Sequence, residues 1–294
     1  MKKILITGGC GYIGSALFTK FCNNLNYQVT TVDVEWFGNF INPNNIKLDF
    51  GVLDENFLDQ YDIIIHVAAN SSVTLCKDIK DAYDNNVTKF INLVSKLKKQ
   101  KFIYASSSCV YVTSDNLPKS EDDVLSPMDG LTFTKTTIDQ YMPLTNVEYY
   151  GLRFGSVNGY SPNMRLDLMI NAMTISAKTK GEVNVMNGYA HRPILSTNDL
   201  VRSIETIVNS DEDKRGVYNL ASVNHNILDI GNKVAKHNNV PLVDKGNNFT
   251  YDFSINSEKF MREFNFEFND TVETIVDNIL DNPHNDKWQK RDTK

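Results

Sequence analysis

Three glycines near the amino terminus have the spacing of a phosphate-binding turn. Gly9, Gly11 and Gly14 lie in the sequence ILITGGCGYIG, directly after an apolar run and before an amphipathic segment, and Gly8 precedes them. Glycine permits a tight turn, lets the backbone approach a pyrophosphate, and allows a helix to pack closely on a strand. The amino terminus of the following helix supplies free N–H groups and a favourable dipole for the phosphates. The pattern therefore predicts a dinucleotide site.

An aspartate in the next β-rich run narrows the choice of dinucleotide. Asp33 ends that run. A carboxylate at this position accepts hydrogen bonds from both ribose hydroxyls and repels a 2′-phosphate. The sequence therefore favours NAD over NADP as the cofactor.

The elements that must position these residues alternate in type along the first half of the chain. Five β-rich runs occur, at residues 3–7, 29–33, 62–69, 102–107 and 148–154. Amphipathic segments, among them 13–23 and 82–98, lie between them. Alternation of this kind places helices on both faces of a parallel sheet. The expected fold class is therefore α/β, a Rossmann-type doubly wound parallel sheet.

The second half of the chain is less regular, and helices are expected there at 166–178, 199–208 and 227–237. We expect an NAD-binding domain over residues 1–156 and a smaller, C-terminal cap over 157–282 that mainly binds substrate. Part of the segment around 189–207 is expected to return to the first domain. The polar residues 283–294 are expected to form a loose tail.

Composition and charge argue against several kinds of partner. The 294 residues carry a formal net charge of −6 and no basic cluster, so we expect no nucleic acid. No apolar run approaches the roughly 20 residues of a transmembrane span, so we expect no membrane partner. The four cysteines form neither a CxxC pair nor a metal-binding spacing, which favours a reduced, cytoplasmic setting without a metal. They are Cys10, Cys22, Cys76 and Cys109.

Several segments, taken in order, resemble one known family. They are TGGCGYIG at 7–14, HVAA at 66–69, Asn86, SSSCVY at 106–111 and HRP at 191–193. Together they resemble the extended short-chain dehydrogenase/reductase family, which includes nucleotide-sugar epimerases, 4,6-dehydratases and ketoreductases. The resemblance implies an NAD-dependent enzyme that modifies a nucleotide-diphosphate sugar, as an epimerase, a ketoreductase or an atypical dehydratase. It also implies a homodimer, since relatives pair through the helices expected here at 82–98 and 132–142.

The resemblance also assigns residues to the cofactor cleft. Asp49 and Phe50 would lie beside the adenine. Ala68 and Ala69 would line the cleft, and Asn86 would stabilise the central helix near the sheet. The full set expected to contact NAD is Gly8, Gly9, Gly11, Tyr12, Ile13, Gly14, Asp33, Asp49, Phe50, Ala68, Ala69 and Lys135.

The catalytic pattern of the family is incomplete in this chain. Relatives carry a serine or threonine and, further along, a Tyr-x-x-x-Lys pair. The lysine lowers the pKa of the tyrosine and holds the nicotinamide ribose, and the tyrosinate moves the hydroxyl proton as hydride is transferred. Ser107 and Lys135 occupy the serine and lysine positions, but Leu131 stands where the tyrosine should be. No tyrosine in the chain is followed by lysine four positions later.

Three interpretations of Leu131 stay open. Another group near the site could transfer the proton, with Tyr111, Cys109, Tyr160 and Lys135 as candidates. The reaction could dispense with that transfer, as in inverting dehydratases of the family that carry methionine at this position. The protein could also bind NAD and a nucleotide-sugar without turnover.

Cys109 has a separate resemblance. In GDP-fucose synthases and GDP-mannose 3,5-epimerases a cysteine two residues after the serine acts as acid or base at the sugar ring. The partner side chain of those enzymes has no counterpart, because Leu168 and Met169 hold the corresponding positions. A small buried residue beside the cofactor is the alternative. Retaining 4,6-dehydratases carry Asp-Glu where this chain has Ser108 and Cys109, which argues against their reaction.

Two arginines of the second half are candidates for binding the substrate diphosphate. The resemblance places Arg192 there, and Arg165 is a second candidate. Arginine suits this role because its planar group donates two hydrogen bonds at once, although each could instead form a surface salt bridge. Asn158 stands where many relatives have a tyrosine. Together with Ser107 and Ser108 it is expected at the sugar end of the site.

Overall fold

The centre of the molecule is a six-stranded parallel sheet. The computed structural model describes residues 1–111 and 118–282. The strands of the sheet are β1 (Lys2–Thr7), β2 (Tyr27–Val32), β3 (Ile63–His66), β4 (Lys101–Ser107), β5 (Tyr149–Phe154) and β9 (Gly216–Leu220). They lie in the order β2-β1-β3-β4-β5-β9, and every pair is parallel. The predicted α/β class with a parallel sheet is confirmed.

Helices cover both faces of this sheet, which is why strands such as β3 and β5 are buried along their whole length. One face carries α1 (Tyr12–Phe21) and α7 (Thr197–Asn209), which contact each other. The other helices of the first half are α2 (Glu55–Leu58), α3 (Ile79–Tyr83), α4 (Lys89–Val94) and α5 (Gly130–Tyr141). Alternate residues of β1 serve the two faces, since Ile4 and Ile6 belong to one core and Leu5 to the other.

The helix expected at 82–98 is interrupted by a π-helical turn, Asp84–Thr88, between α3 and α4. The turn carries Asn86 into the interior, where its Oδ1 accepts from the backbone N–H of Asn70 at 2.8 Å. Its Nδ2 donates to the carbonyl oxygen of Asn70 at 3.0 Å. The amide therefore ties this helical segment to the loop after β3, and the register of the helix adjusts to it.

The second half forms a smaller unit of short strands and packed helices. A three-stranded sheet contains β6 (Ser156–Asn158), β8 (His191–Ser196) and β10 (Val223–Asn226), and β7 (Val183–Val185) pairs with β11 (Leu242–Asp244). The helices α6 (Met169–Lys180), α8 (Ile227–Asn238) and α10 (Val272–Leu280) pack on one another, while α9 (Glu258–Phe264) contacts β9.

Two stretches of the second half belong with the central sheet. Helix α7 packs on α1, within the segment expected to return, and β9 adds a strand beside β5. Strand β9 lies beyond the segment expected to return at 189–207. The sequence does not predict this strand, because five residues with little periodicity give a weak signal. The division at 156 and 157 stays a prediction.

No helix within residues 1–111 and 118–282 is long and apolar enough to cross a membrane. Over the same ranges, no three His, Cys, Asp or Glu side chains are grouped closely enough to hold a metal ion. The tail expected at 283–294 lies outside the described residues.

Candidate active site

The glycine turn after β1 is closed so tightly that side chains would not fit. A Cβ at Gly14 would lie 2.0 Å from the carbonyl oxygen of Gly8. Gly8 itself has a φ of +79°, and a Cβ there would lie 2.6 Å from the backbone nitrogen of Ala68. Glycine is therefore required at both positions, since backbone atoms leave no room for adjustment.

Helix α1 starts at this turn, directly beside the cleft. Its N-cap is Gly11, which has no side chain to cap the first turn. The N–H groups of the first turn have no acceptor within the helix, and Tyr12, Ile13 and Gly14 all line the same cleft. Gly9 does not line it. A Cβ at Gly9 would instead meet the side chain of Thr31 at 2.4 Å, so this glycine serves the packing of the turn on β2.

Asp33 holds a fixed carboxylate at the end of β2. Its Oδ2 accepts from the backbone N–H of Cys10 at 3.1 Å, and its Oδ1 accepts from that of Glu35 at 2.6 Å. The side chain lines the cleft next to the glycine turn. A phosphate on a ribose at this point would meet a negative charge that cannot move away.

The next part of the cleft has an apolar wall with one ion pair. Asp49 and Phe50 line it, as do Ala68 and Ala69. Oδ2 of Asp49 pairs with Nζ of Lys89 at 2.5 Å, and its Oδ1 accepts from the N–H of Gly51 at 2.8 Å. Both oxygens of the Asp49 carboxylate thus have partners within the protein.

These residues fit a dinucleotide such as NAD. Gly8, Gly11 and Gly14 leave the cleft side of the turn open to a pyrophosphate, the first turn of α1 lies beside them, and the carboxylate of Asp33 lines the same cleft. The cavity of about 480 Å³ continues without a break to the carboxyl ends of β4 and β5, which is where parallel sheets bind ligands. NAD bound there supplies hydride transfer.

Lys135 and Leu131 lie one turn apart on α5 and both line the cleft. Nζ of Lys135 donates to the carbonyl oxygen of Ala105 at 2.6 Å. Burial lowers the pKa of this lysine to about 8, and the charge of Asp139 opposes that shift. Ser107 lines the cleft from the end of β4. Ser107, Lys135 and Leu131 therefore line the same cleft.

Two of the four groups considered as replacements for the tyrosine are not in the cleft. Tyr111 is fully buried, donates to Oδ1 of Asn219 at 2.9 Å, and accepts from Nη1 of Arg153. Tyr160 also lies outside the cleft lining. Neither phenol lines the cleft that contains Ser107 and Lys135, and an internal hydrogen-bond network holds that of Tyr111.

Cys109 does line the cleft, beside Ser107. Its N–H donates to Oγ of Ser107 at 3.3 Å. Burial raises the pKa of the thiol, although Ser107 and the charge of Arg192 act in the opposite direction. A protonated thiol can donate a proton but is a poor acceptor. Leu168 and Met169 line the same region and offer it no acid–base partner.

A buried carboxylate beneath these residues fixes the elements that carry them. Asp139 on α5 accepts from Nε of Arg153 at 2.7 Å and from Oγ of Ser106 at 2.9 Å. It also accepts from the hydroxyl of Tyr104 at 3.1 Å. Helix α5 is thereby bonded to β4 and β5, so that Lys135 and Ser107 keep their relative positions.

Both predicted substrate arginines line the cleft, and both already have protein partners. Arg192 donates to the carbonyl oxygens of His191, at 2.8 Å, and Tyr251. Arg165 pairs with Asp167 at 2.5 Å. Burial lowers the pKa of Arg192.

Asn158 is not in the cleft, contrary to expectation. It is fully buried, and its Oδ1 accepts from the backbone N–H of Ile170 at the start of α6, at 2.9 Å. Its Nδ2 donates to the carbonyl oxygen of Ser156 at 2.9 Å. The amide therefore satisfies the end of a helix rather than a ligand. Ser108 does line the cleft, although little of it is exposed.

Tyr251 is among the side chains of the cleft that the sequence did not predict. Tyr251 lines the cleft, and its hydroxyl donates to Oδ2 of Asp129 at 2.6 Å. Asp129 is the N-cap of α5, two residues before Leu131. Tyr251 comes from a loop 122 residues further along the chain, so no local pattern could connect the two.

Known proteins share this sequence pattern and fold. The model of the NAD dependent epimerase/dehydratase family matches residues 4–221. The protein CapI of Staphylococcus aureus is 28% identical over 232 residues, which cover 70% of this chain and 69% of CapI. UDP-glucuronic acid 4-epimerase from Bacillus cereus, solved with UDP-glucuronic acid and NAD, has a TM-score of 0.84 at 21% identity, over 95% of this chain and 98% of that one. ADP-L-glycero-D-manno-heptose-6-epimerase from Helicobacter pylori has a TM-score of 0.85 at 24% identity, over 95% of each chain.

The chain therefore belongs to the NAD dependent epimerase/dehydratase family. This confirms the predicted family, and with it NAD as the cofactor that the family uses. The solved structures confirm the Rossmann-type fold over nearly the whole chain.

Proposed function

We propose that the protein binds NAD and a nucleoside-diphosphate sugar in one cleft and epimerises, reduces or dehydrates the sugar. The observation that carries this proposal is the continuity of the cleft. The glycine turn and Asp33 lie at one end, and Ser107, Lys135 and Arg192 lie at the other. The epimerase from Bacillus cereus holds NAD together with UDP-glucuronic acid, which supports a nucleotide-sugar as the second ligand.

Each residue at the second end has a defined part in this proposal. Lys135, as a buried cation, holds the nicotinamide ribose, and Ser107 hydrogen-bonds the reacting sugar hydroxyl. Arg192 and Arg165 bind the diphosphate, because guanidinium groups match the geometry of phosphate oxygens. Cys109 is an additional candidate proton donor beside the sugar.

A binding protein without turnover is the second candidate function, and Leu131 is the observation that favours it. Such a protein would hold the same two ligands in the same cleft. Only product formation distinguishes the two.

The test begins with ligands released from freshly purified, denatured protein and identified by mass spectrometry. The protein is then incubated with NAD and UDP-glucose, UDP-N-acetylglucosamine, UDP-glucuronic acid or dTDP-glucose. NADH absorbance and product mass are followed, with Gly14→Ala as a control that lacks the cofactor turn. We expect one nucleotide-sugar to bind and to be converted. Binding without conversion by the wild type would favour the binding protein, and no binding would refute both.

We also propose a homodimer formed through the helices at Ile79–Val94 and Gly130–Tyr141. This surface exposes the large apolar side chains of Ile79 and Phe133, and Tyr83 stacks on Phe133 at 5.9 Å between ring centroids. Sedimentation of the wild type and of Phe133→Glu tests it, since a charge in the seam should shift the protein to monomers. A cytoplasmic location is proposed because all four cysteines are free thiols.

A further inference from the structure

Tyr251 supplies a phenol to the cleft that Leu131 lines, and Leu131 stands where relatives carry their tyrosine. Tyr251 lies on the segment between β11 and α9 and lines the cleft, as Leu131 does. Its hydroxyl reaches the first turn of α5 through the 2.6 Å bond to Asp129. Leu131 and Tyr251 therefore line the same cleft, and the hydroxyl of Tyr251 is bonded two residues from Leu131 along the chain.

The phenol is held from several directions. Nη1 of Arg192 donates to the carbonyl oxygen of Tyr251, and Nη2 donates to Oγ1 of Thr250. The ring packs on a small apolar cluster that contains Phe253 and also contacts Cys109. A side chain fixed at its backbone, its ring and its hydroxyl is preorganised for a specific contact.

The carboxylate partner can accept a proton and pass it on. Oδ1 of Asp129 accepts from the backbone N–H of Thr132 at 2.8 Å and caps α5, which leaves Oδ2 to Tyr251. Asp129 is only half-buried, so water can reach it. Burial, with the hydrogen bond and charge of Asp129, raises the pKa of Tyr251. The phenol is thus protonated at neutral pH, unlike a tyrosinate prepared by a lysine.

We propose that Tyr251 and Asp129 together provide the acid–base function that Leu131 cannot. As the sugar carbinol is oxidised, its hydroxyl proton goes to the oxygen of Tyr251, and the proton of Tyr251 goes to Oδ2 of Asp129. NAD, when bound in the cleft, would accept the hydride from the same carbon and so account for the two electrons that the sugar loses. Asp129 then releases the proton to water, and reduction follows the same path in reverse. This inference rests on the proposed function.

The first test is Tyr251→Phe, which keeps the ring and the carbonyl bound by Arg192. With UDP-glucuronic acid and UDP-glucose as probes, kcat should fall by about 10²–10⁴-fold, the usual range for an acid–base group. The Kd values for NAD and sugar should change by less than about threefold, because the lost contact acts in the transition state. Tyr218→Phe is the matched control, since Tyr218 also donates to a carboxylate, that of Glu263, outside the cleft lining.

Two further measurements separate chemistry from folding. In the Tyr251→Phe background, Leu131→Tyr should restore at least about tenfold in kcat, because Ser107 and Lys135 remain in place. In protein labelled with 3-fluorotyrosine, the ¹⁹F resonance that Tyr251→Phe removes should shift when the nucleotide-sugar binds. The resonance that Tyr218→Phe removes should not move.

The possible outcomes distinguish failure of the acid–base role from failure of the proposed function on which it rests. If no nucleotide-sugar binds, the proposed function fails and the acid–base role fails with it. If a nucleotide-sugar binds but Tyr251→Phe stays within about twofold of wild-type kcat, only the inference is refuted. Binding without any turnover by the wild type also refutes it, as does a ¹⁹F resonance that does not respond to the sugar.

Discussion

The two ends of the cleft differ in what shapes them: backbone geometry at one end and side chains at the other. The cofactor end depends on backbone geometry, with Gly8 and Gly14 so close that a Cβ would lie 2.0 Å from a carbonyl oxygen. The other end, which we call the reacting end because we propose that the sugar reacts there, depends on side chains from distant segments, among them Leu131 and Tyr251. Backbone geometry tolerates almost no substitution, whereas a side chain can be replaced by another that reaches the same point. This difference is consistent with an intact cofactor motif in a chain that carries leucine at position 131, where the resemblance expects a tyrosine.

The largest effect is expected at the cofactor end. Gly14→Ala forces a Cβ against Gly8, and since both partners are backbone the turn must open. NAD affinity measured by calorimetry should fall by more than about 100-fold, because the helix amides no longer face the pyrophosphate. Gly181→Asn is the control: Gly181 ends α6 at a φ of +70° with nothing within 4 Å, and asparagine tolerates that conformation. Wild-type affinity in Gly14→Ala would show that the turn is not the cofactor site.

A smaller loss is expected at the other end from Arg192→Ala. Each charged hydrogen bond to the diphosphate is worth about 1.5–3 kcal/mol, so nucleotide-sugar affinity should fall by about that amount while NAD binding is unchanged. Arg215→Ala is the control, because Arg215 pairs with Asp213 on the exposed surface. Unchanged substrate affinity in Arg192→Ala would mean that the diphosphate lies elsewhere.

The same contrast decides what the sequence could reveal. The glycine turn and Asp33 were predicted from a local motif, and Ser107 and Lys135 from the family resemblance, and the structure lines one cleft with all of them. Tyr111 was considered as a candidate proton donor but does not line the cleft. Its local motif gives no information about the distant Asn219, to which its hydroxyl is hydrogen-bonded.

Asn158 shows the same limit. The side-chain amide of Asn158 is hydrogen-bonded to the start of α6, and this contact forms only in the folded chain. Tyr251 was missed because 122 residues separate it from Asp129. Contacts between distant segments are set by tertiary packing, which residue spacing does not encode.

Asp33 should contribute a moderate specificity. The wild type should bind NAD more tightly than NADP, because a carboxylate fixed by two backbone amides repels the 2′-phosphate. Asp33→Ala should reduce that preference by about tenfold or more, which corresponds to 1.4 kcal/mol or so of charge repulsion. Calorimetry with both dinucleotides measures this. Equal affinity of the wild type for both would remove the argument.

The smallest effect concerns Lys135 and the pH dependence of stability. Burial lowers its pKa from 10.5 to about 8 in the folded protein. Between these values the unfolded chain holds the proton and the folded chain does not, so the free energy of unfolding rises with pH there. Below pH 8 or so, both states are protonated and the cost of burying the charge is fully present.

Lys135→Met removes this titration. Denaturant unfolding at about pH 7 and about pH 9.5 should show the wild type gaining on the order of 1 kcal/mol relative to Lys135→Met. Lysines common to both proteins cancel in this comparison. Parallel pH profiles would mean that Lys135 is solvated.

The most direct test of the account is the turnover of the wild type beside that of Leu131→Tyr. Both are assayed with NAD and the same nucleotide-sugars, by NADH absorbance and product mass. If the reacting end has been rebuilt around another proton donor, the wild type is already active, and Leu131→Tyr changes kcat little or lowers it by crowding the cleft. A silent wild type beside an active Leu131→Tyr, gaining the roughly 10²–10⁴-fold of a restored acid–base group, would contradict the account and identify a binding protein that lost its tyrosine.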